Sequence, residues 1–205
     1  MNHQKISMFN KICSSVFLLI VLILVSLTGC KNSSQQIEGG KKEGKIISAL
    51  IDSMATPFPL PPPPPKDGSQ IEPINIDSLR KVKVEVVLDT MSFNISKHIN
   101  IEKEFSEYQS LIDSIPSLVT KPIEKRYVQS KKGHTIVFGN SIADSKVKHS
   151  QIISVSRIVF NQDKTKAALY GGYSTHPLAS YLNLYLFEKK YDKWEIVLKK
   201  NIEKS

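Results

Sequence analysis

The most reactive side chain that this sequence offers is the cysteine thiol, because a thiolate is a strong nucleophile. The 205-residue chain has two cysteines, Cys13 and Cys30. Cys13 lies within an apolar run over residues 12–26, which follows a basic start and precedes Cys30. This order is typical of a secretory signal peptide. The run is shorter than the roughly 20 residues that a membrane-spanning helix needs, which favours cleavage of residues 1–29 over an uncleaved anchor.

The four residues that close this segment, Leu27-Thr28-Gly29-Cys30, resemble the lipobox of bacterial lipoproteins. The resemblance implies cleavage between Gly29 and Cys30, a diacylglycerol on the Cys30 thiol, and an acylated new amino terminus. Two or three acyl chains anchor a protein stably, since each buried CH₂ contributes about 0.8 kcal/mol. Because Lys31 rather than Asp follows, the resemblance also implies the outer membrane in a two-membrane bacterium. We therefore expect a cell-envelope protein whose membrane contact is lipid on Cys30.

A hydroxyl beside an imidazole is the second arrangement that could do chemistry. Ser174, Thr175 and His176 follow one another, and a hydrolase of envelope polymers would use His176 as base and a nearby hydroxyl as nucleophile. No Gly-x-Ser-x-Gly elbow is present, and a strand-connecting loop stiffened by Pro177 explains the same residues. We keep the hydrolase as the alternative function and assign no catalytic residue.

Tyrosines clustered around two adjacent glycines predict a different kind of site. Glycine within a strand often marks a place where a ligand or another backbone comes close, and tyrosine suits protein and sugar surfaces. Packing in the core explains tyrosines equally well. The predicted binding face, for an envelope protein or a glycan, consists of Tyr170, Tyr173, Tyr181, Tyr185 and His176.

Metal, cofactor and nucleic-acid functions have little support. Of the five histidines, the four after the leader show no metal-ligand spacing, and Cys30 is the only cysteine there, so we expect neither a metal site nor a cofactor. The formal net charge of +9 favours anionic partners, but only three of the 28 basic residues are arginine, which disfavours nucleic acid. The four histidines are His98, His134, His149 and His176.

Residues 30–70 are predicted to be a lipidated tether. Residues 31–45 are polar and lack apolar periodicity, and the next ten residues place Ile46, Ile47, Leu50 and Ile51 on one stripe of a short helix. Residues 56–68 contain consecutive prolines and predict a polyproline II segment. That segment is either a spacer or a docking ligand for a partner, and we favour the spacer.

Residues 71–205 are predicted to form a single α+β globular domain. Alternating apolar residues over 82–88 indicate a half-buried strand, and an apolar stripe over 101–115 indicates the main helix. Four strands joined by short turns then form a four-stranded antiparallel meander on which this helix packs. Their predicted ranges are 152–160, 165–173, 181–189 and 194–198.

The C-terminal region resembles that of small bacterial envelope lipoproteins of unknown activity. The resemblance rests on a strand that ends in the turn Phe160-Asn161-Gln162-Asp163-Lys164-Thr165-Lys166-Ala167 and on a last strand with Lys193-Trp194-Glu195-Ile196-Val197. These patterns describe a packed hairpin and imply a fold more than a site. From the whole sequence we expect a lipid-anchored, non-enzymatic binding or interaction module.

Overall fold

A computed structural model describes residues 37–55, 75–79, 81–96, 99–139, 151–176 and 179–204. The predicted leader, Cys30, the whole proline segment, His98 and His149 lie outside these ranges. The chain divides into two units, Met1–Lys42 and Glu43–Ser205. In the first unit, residues 37–42 are helical and Lys42 pairs with Glu38 one turn away. The remaining description concerns the second unit.

Seven strands of the described chain form one mixed sheet. Along it the strand order is β2-β1-β3-β5-β6-β7, and β4 pairs separately with β5. The strands are β1 (Glu85–Leu88), β2 (Thr135–Phe138), β3 (Gln151–Val155), β4 (Val159–Phe160), β5 (Lys166–His176), β6 (Ala179–Lys190) and β7 (Lys193–Lys204).

Parallel pairing builds one half of this sheet. β1 lies between β2 and β3 and runs parallel to both. Val86, Val87 and Leu88 are completely buried, as is typical of parallel strands, which are covered on both faces. The half-buried strand predicted from the alternation over residues 82–88 is therefore shorter, Glu85–Leu88, and its last three residues are buried on both faces.

Antiparallel pairing builds the other half, in which β3, β5, β6 and β7 are neighbours. The turn between β6 and β7 consists of Tyr191 and Asp192, which have φ angles of 46° and 65°. Positive φ at both central residues gives a turn whose twist matches that of the strands it joins. This turn projects Tyr191 entirely into solvent.

One face of the sheet is covered by a helix, α1 (residues 37–54). The part of α1 that lies in the second unit makes this contact. Its stripe of Ile46, Ile47, Leu50 and Ile51 is buried in a core cluster with Leu169 and residues from β1, β3 and β6. The tether predicted to end at residue 70 thus contains a helix that belongs to the core. The apolar spacing required this docking, since an isolated helix of that length is marginal in water.

Short helical pieces cover the opposite face. A 3₁₀ segment (Lys103–Tyr108), α3 (Gln109–Ser114) and a second 3₁₀ segment (Ile115–Ser117) follow one another in place of the predicted main helix. Tyr108, Ile112 and Ile115 are buried there against Tyr170 and its neighbours. Two further short pieces are α2 (Ile76–Leu79) and a 3₁₀ turn at Lys125–Tyr127.

The predicted fold class is wrong. The domain is mostly β and is built on a seven-stranded mixed sheet, not an α+β domain with a four-stranded meander and one main helix. The strand predicted over residues 152–160 is divided into β3 and β4, and β1 and β2 extend the sheet through parallel pairs between residues far apart in the chain, such as Glu85 with Thr135 and Val86 with Gln151. Such pairs have no local turn signal in the sequence. Within the described residues, no helix has the length and apolar character to cross a membrane.

Candidate functional site

A cleft of about 890 Å³ opens at the surface of the second unit. It lies between α1, the segment over residues 127–132 and the β6–β7 hairpin. We call it the helix-flank cleft; its lining is Lys45, Ser48, Ala49, Asp52, Ser53, Tyr127, Gln129, Lys131, Lys132, Asp192, Lys193, Trp194, Glu195 and Ile196.

Helical spacing explains one wall of the helix-flank cleft. Lys45, Ser48 and Asp52 stand three and four residues apart, so they share one stripe of α1. This polar stripe runs beside the apolar stripe that faces the sheet. One helix therefore contributes both to the core and to the cleft.

Close packing fixes the opposite wall against α1. A Cβ atom at Gly44 would lie 2.4 Å from the Tyr127 Cβ and 2.5 Å from the Tyr127 carbonyl oxygen. Only glycine allows this approach of backbone to backbone. The guanidinium of Arg126 lies 4.6 Å from the centre of the Tyr127 ring, and this cation–π contact holds the ring in place.

Hydrogen bonds tie the segment after Tyr127 to α1. The Ser48 hydroxyl accepts a bond of 2.9 Å from the Gln129 N–H. The Asp52 carboxylate accepts bonds of 2.6 Å from the Ser130 hydroxyl and 3.0 Å from the Lys131 N–H. The Lys132 ammonium donates to the Asp52 carbonyl oxygen at 2.6 Å, near the end of the helix. Since the carboxylate has these donors, Asp52 acts mainly as a structural link.

The hairpin wall carries one buried aromatic ring and several charges. Trp194, the single tryptophan of the chain, is 9% exposed and packs edge-on against Phe160 at a centroid distance of 5.8 Å. Asp192 pairs with Lys189 at 2.7 Å and with Lys45 at 3.5 Å. The hydrogen bond and charge of Lys189, with the nearby Lys45, hold the pKa of the Asp192 carboxyl below its usual range.

The four predicted tyrosines do not share one face. Tyr170 and Tyr185 are completely buried, in the clusters on opposite sides of the sheet. Burial raises the pKa of Tyr170 to about 12 and also raises that of Tyr185. Tyr173 and Tyr181 are cross-strand partners whose rings stack at 4.9 Å, and both are partly exposed. The structure therefore brings two of the four tyrosines together at the surface.

A smaller pocket of about 320 Å³ lies at the end of β5 and β6 where Tyr173 and Tyr181 pair. The lining of this pocket includes three serines, among them Ser174, and the acidic residue Glu203. Thr175 is partly buried, and His176 pairs with Ala179 in the sheet, but the His176 side chain lies outside the described part of the structure. The hydrolase arrangement stays a prediction.

Of the predicted histidines, His134 has a described side chain. Its Nδ1 accepts a bond of 3.2 Å from the Val84 N–H, and its Nε2 is buried without a partner among the described residues. Burial lowers the pKa of His134. Within the described ranges, no three His, Cys, Asp or Glu residues are grouped so that they could hold a metal ion.

Comparison with known proteins found no matching protein-family model, no matching curated protein and no matching solved structure. The helix-flank cleft itself was missed by sequence reasoning. Its one sequence signal is the polar spacing of Lys45, Ser48 and Asp52 beside an apolar helical stripe. The other walls come from residues that are distant in the chain.

Proposed function

We propose that this chain is a lipid-anchored binding protein of the bacterial cell envelope and that the helix-flank cleft is its ligand site. The anchoring rests on the resemblance of Leu27-Thr28-Gly29-Cys30 to a lipobox. Lipid on Cys30 keeps the domain at a membrane surface, where its partners are envelope proteins or glycans.

The observation that carries the binding role is the helix-flank cleft. Binding pockets for small molecules commonly occupy about 300–1,000 Å³, and this cleft of about 890 Å³ has that size. Its charged and polar residues surround Tyr127 and the edge of Trp194, an arrangement that offers both hydrogen bonds and apolar contact. The lining acids are hydrogen-bonded or ion-paired, which suits recognition better than acid–base catalysis.

Photo-crosslinking in living cells tests the binding role. A photoreactive phenylalanine at Ser53, which is exposed and lines the cleft, should capture a discrete cellular molecule after illumination. The matched control places the same group at Val119, which is 78% exposed and lies outside the cleft lining. Equal capture at both positions, or none at Ser53, would argue against a ligand site here.

Metabolic labelling with palmitate tests the anchor separately. Cys30→Ala removes the acyl acceptor, so the variant should lose the label that the original protein carries. Equal labelling of the two proteins would argue against lipid on Cys30.

A further inference from the structure

Positive charge is in excess in the helix-flank cleft once the ion pairs among its own residues are counted. Its acidic residues already have partners: Asp52 holds the Ser130 hydroxyl, Asp192 pairs with Lys189, and Glu195 lies 3.7 Å from Lys190. Asp52 and Asp192 therefore offer little to a cationic ligand, and Glu195 only a shared charge.

The lysines of the cleft are not all paired. The Lys132 ammonium is bound to the Asp52 carbonyl oxygen, and Lys45 has the Asp192 carboxylate at 3.5 Å. The ammonium groups of Lys131 and Lys193 have no acidic partner among the described residues. They stand on two different walls, one on the segment after Tyr127 and one on the β6–β7 hairpin. An anion between the walls would meet a cation from each side.

We propose that the helix-flank cleft binds an anionic saccharide, whose carboxylate or phosphate groups pair with Lys131 and Lys193 while its rings lie against Tyr127 and Trp194. This inference rests on the proposed binding function and specifies its ligand. The size of the cleft, about 890 Å³, accommodates several sugar rings and is far larger than a single inorganic ion requires. Gln129 and Ser53 on the lining add polar groups suited to sugar hydroxyls.

Trp194 provides a built-in reporter, because it is the only tryptophan in the chain and it lines the cleft. The full-length chain, purified in detergent, is titrated with tetragalacturonate while tryptophan emission is followed. We expect a saturable change in emission with this acidic tetrasaccharide and none with maltotetraose, a neutral tetrasaccharide of similar size. The apparent affinity should fall as salt rises, since charge pairing at a solvent-facing site is screened.

A pair of double variants separates specific contacts from overall charge. Lys131→Gln with Lys193→Gln should weaken tetragalacturonate binding at least about tenfold, since charge-assisted hydrogen bonds are roughly twice as strong as neutral ones. The matched control, Lys81→Gln with Lys103→Gln, removes the same charge from exposed lysines outside the cleft lining and should change affinity less than about twofold. Thermal melting of both double variants checks that the fold is retained.

Several outcomes would overturn the inference. Equal losses in the two double variants would mean that the basic surface acts as a whole, and equal binding of maltotetraose would mean that charge is not recognised. A Trp194 response to phosphatidylglycerol vesicles without one to tetragalacturonate would assign the cations to lipid headgroups. Capture at Ser53 in cells with no saccharide response would retain the binding function and discard this ligand class.

Discussion

The two faces of the sheet are covered in different ways. On one face α1 contributes a continuous stripe in which Ile46, Leu50 and Ile51 are completely buried. On the other face, α3 and its flanking 3₁₀ segments cover the sheet in pieces of three to six residues. The continuous helix makes a dense core, and the helix-flank cleft lies along its polar flank. None of the three short pieces lines the smaller pocket, which lies where β5 ends and β6 begins.

Two adjacent glycines in β5, Gly171 and Gly172, show how the two faces differ. Side chains alternate across β5, so positions 171 and 172 face opposite sides of the sheet. A Cβ at Gly171 would lie 2.9 Å from the Tyr185 ring and 3.2 Å from Leu50, both completely buried. A Cβ at Gly172 would meet the Ser154 hydroxyl at 2.8 Å, beside the smaller pocket. The α1 face is therefore expected to tolerate change least.

The largest expected effect comes from opening a cavity under α1. Leu50→Ala should lower the free energy of unfolding by about 3–5 kcal/mol, since the surrounding sheet cannot close the space. Leu111→Ala on the opposite face should cost about 2–3 kcal/mol, because Leu111 is 8% exposed on a short helix that can settle inward. Urea unfolding of the two variants measures both values. Equal costs would show that the two faces are equally rigid.

The adjacent glycines give a smaller and sharper test. Gly171→Ala should destabilise the protein by about 1–3 kcal/mol, because an added methyl group would overpack a buried ring. Gly172→Ala should change stability by less than about 1 kcal/mol, since a serine hydroxyl can rotate to another staggered position. Both values come from the same unfolding titrations. A larger cost at Gly172 would mean that the pocket side is the tighter one.

The parts of the fold that sequence reasoning found are those with local signals. The turns over residues 161–164 and 191–192 bring neighbouring strands together, so β5, β6 and β7 lie near their predicted ranges, whereas the strand predicted over 152–160 is divided into β3 and β4. The parallel pairs of β1 needed contacts such as Glu85 with Thr135, which no turn joins. The same limit hid the helix-flank cleft, whose Lys45, Tyr127 and Lys193 come from three separate regions.

Strand periodicity held one signal about the tyrosines that the binding-face prediction did not use. Tyr170 and Tyr173 are an odd number of residues apart on the same strand, so they must point to opposite faces. Tyr173 and Tyr181 became partners only through the register of β5 with β6. Parity alone shows that Tyr170 and Tyr173 cannot both belong to one binding face. Burial of Tyr185 depended on α1, which was assigned to the tether.

The smallest expected effect is a pH dependence near the end of α1. The pKa of His134 is lowered in the folded protein, mainly by burial and in part by Lys132, while Asp52 acts in the opposite direction. The unfolded chain therefore binds the proton more tightly than the folded protein. Stability from this group is complete above its ordinary pKa of 6.5 and is lost as pH falls below that value.

His134→Asn tests this dependence, because the asparagine side-chain oxygen can still accept the bond from the Val84 N–H but does not titrate. Urea unfolding at pH 7 and pH 5 should show a larger loss of stability in the original protein than in the variant. Losses of equal size would mean that the buried imidazole of His134 does not cause the acid sensitivity.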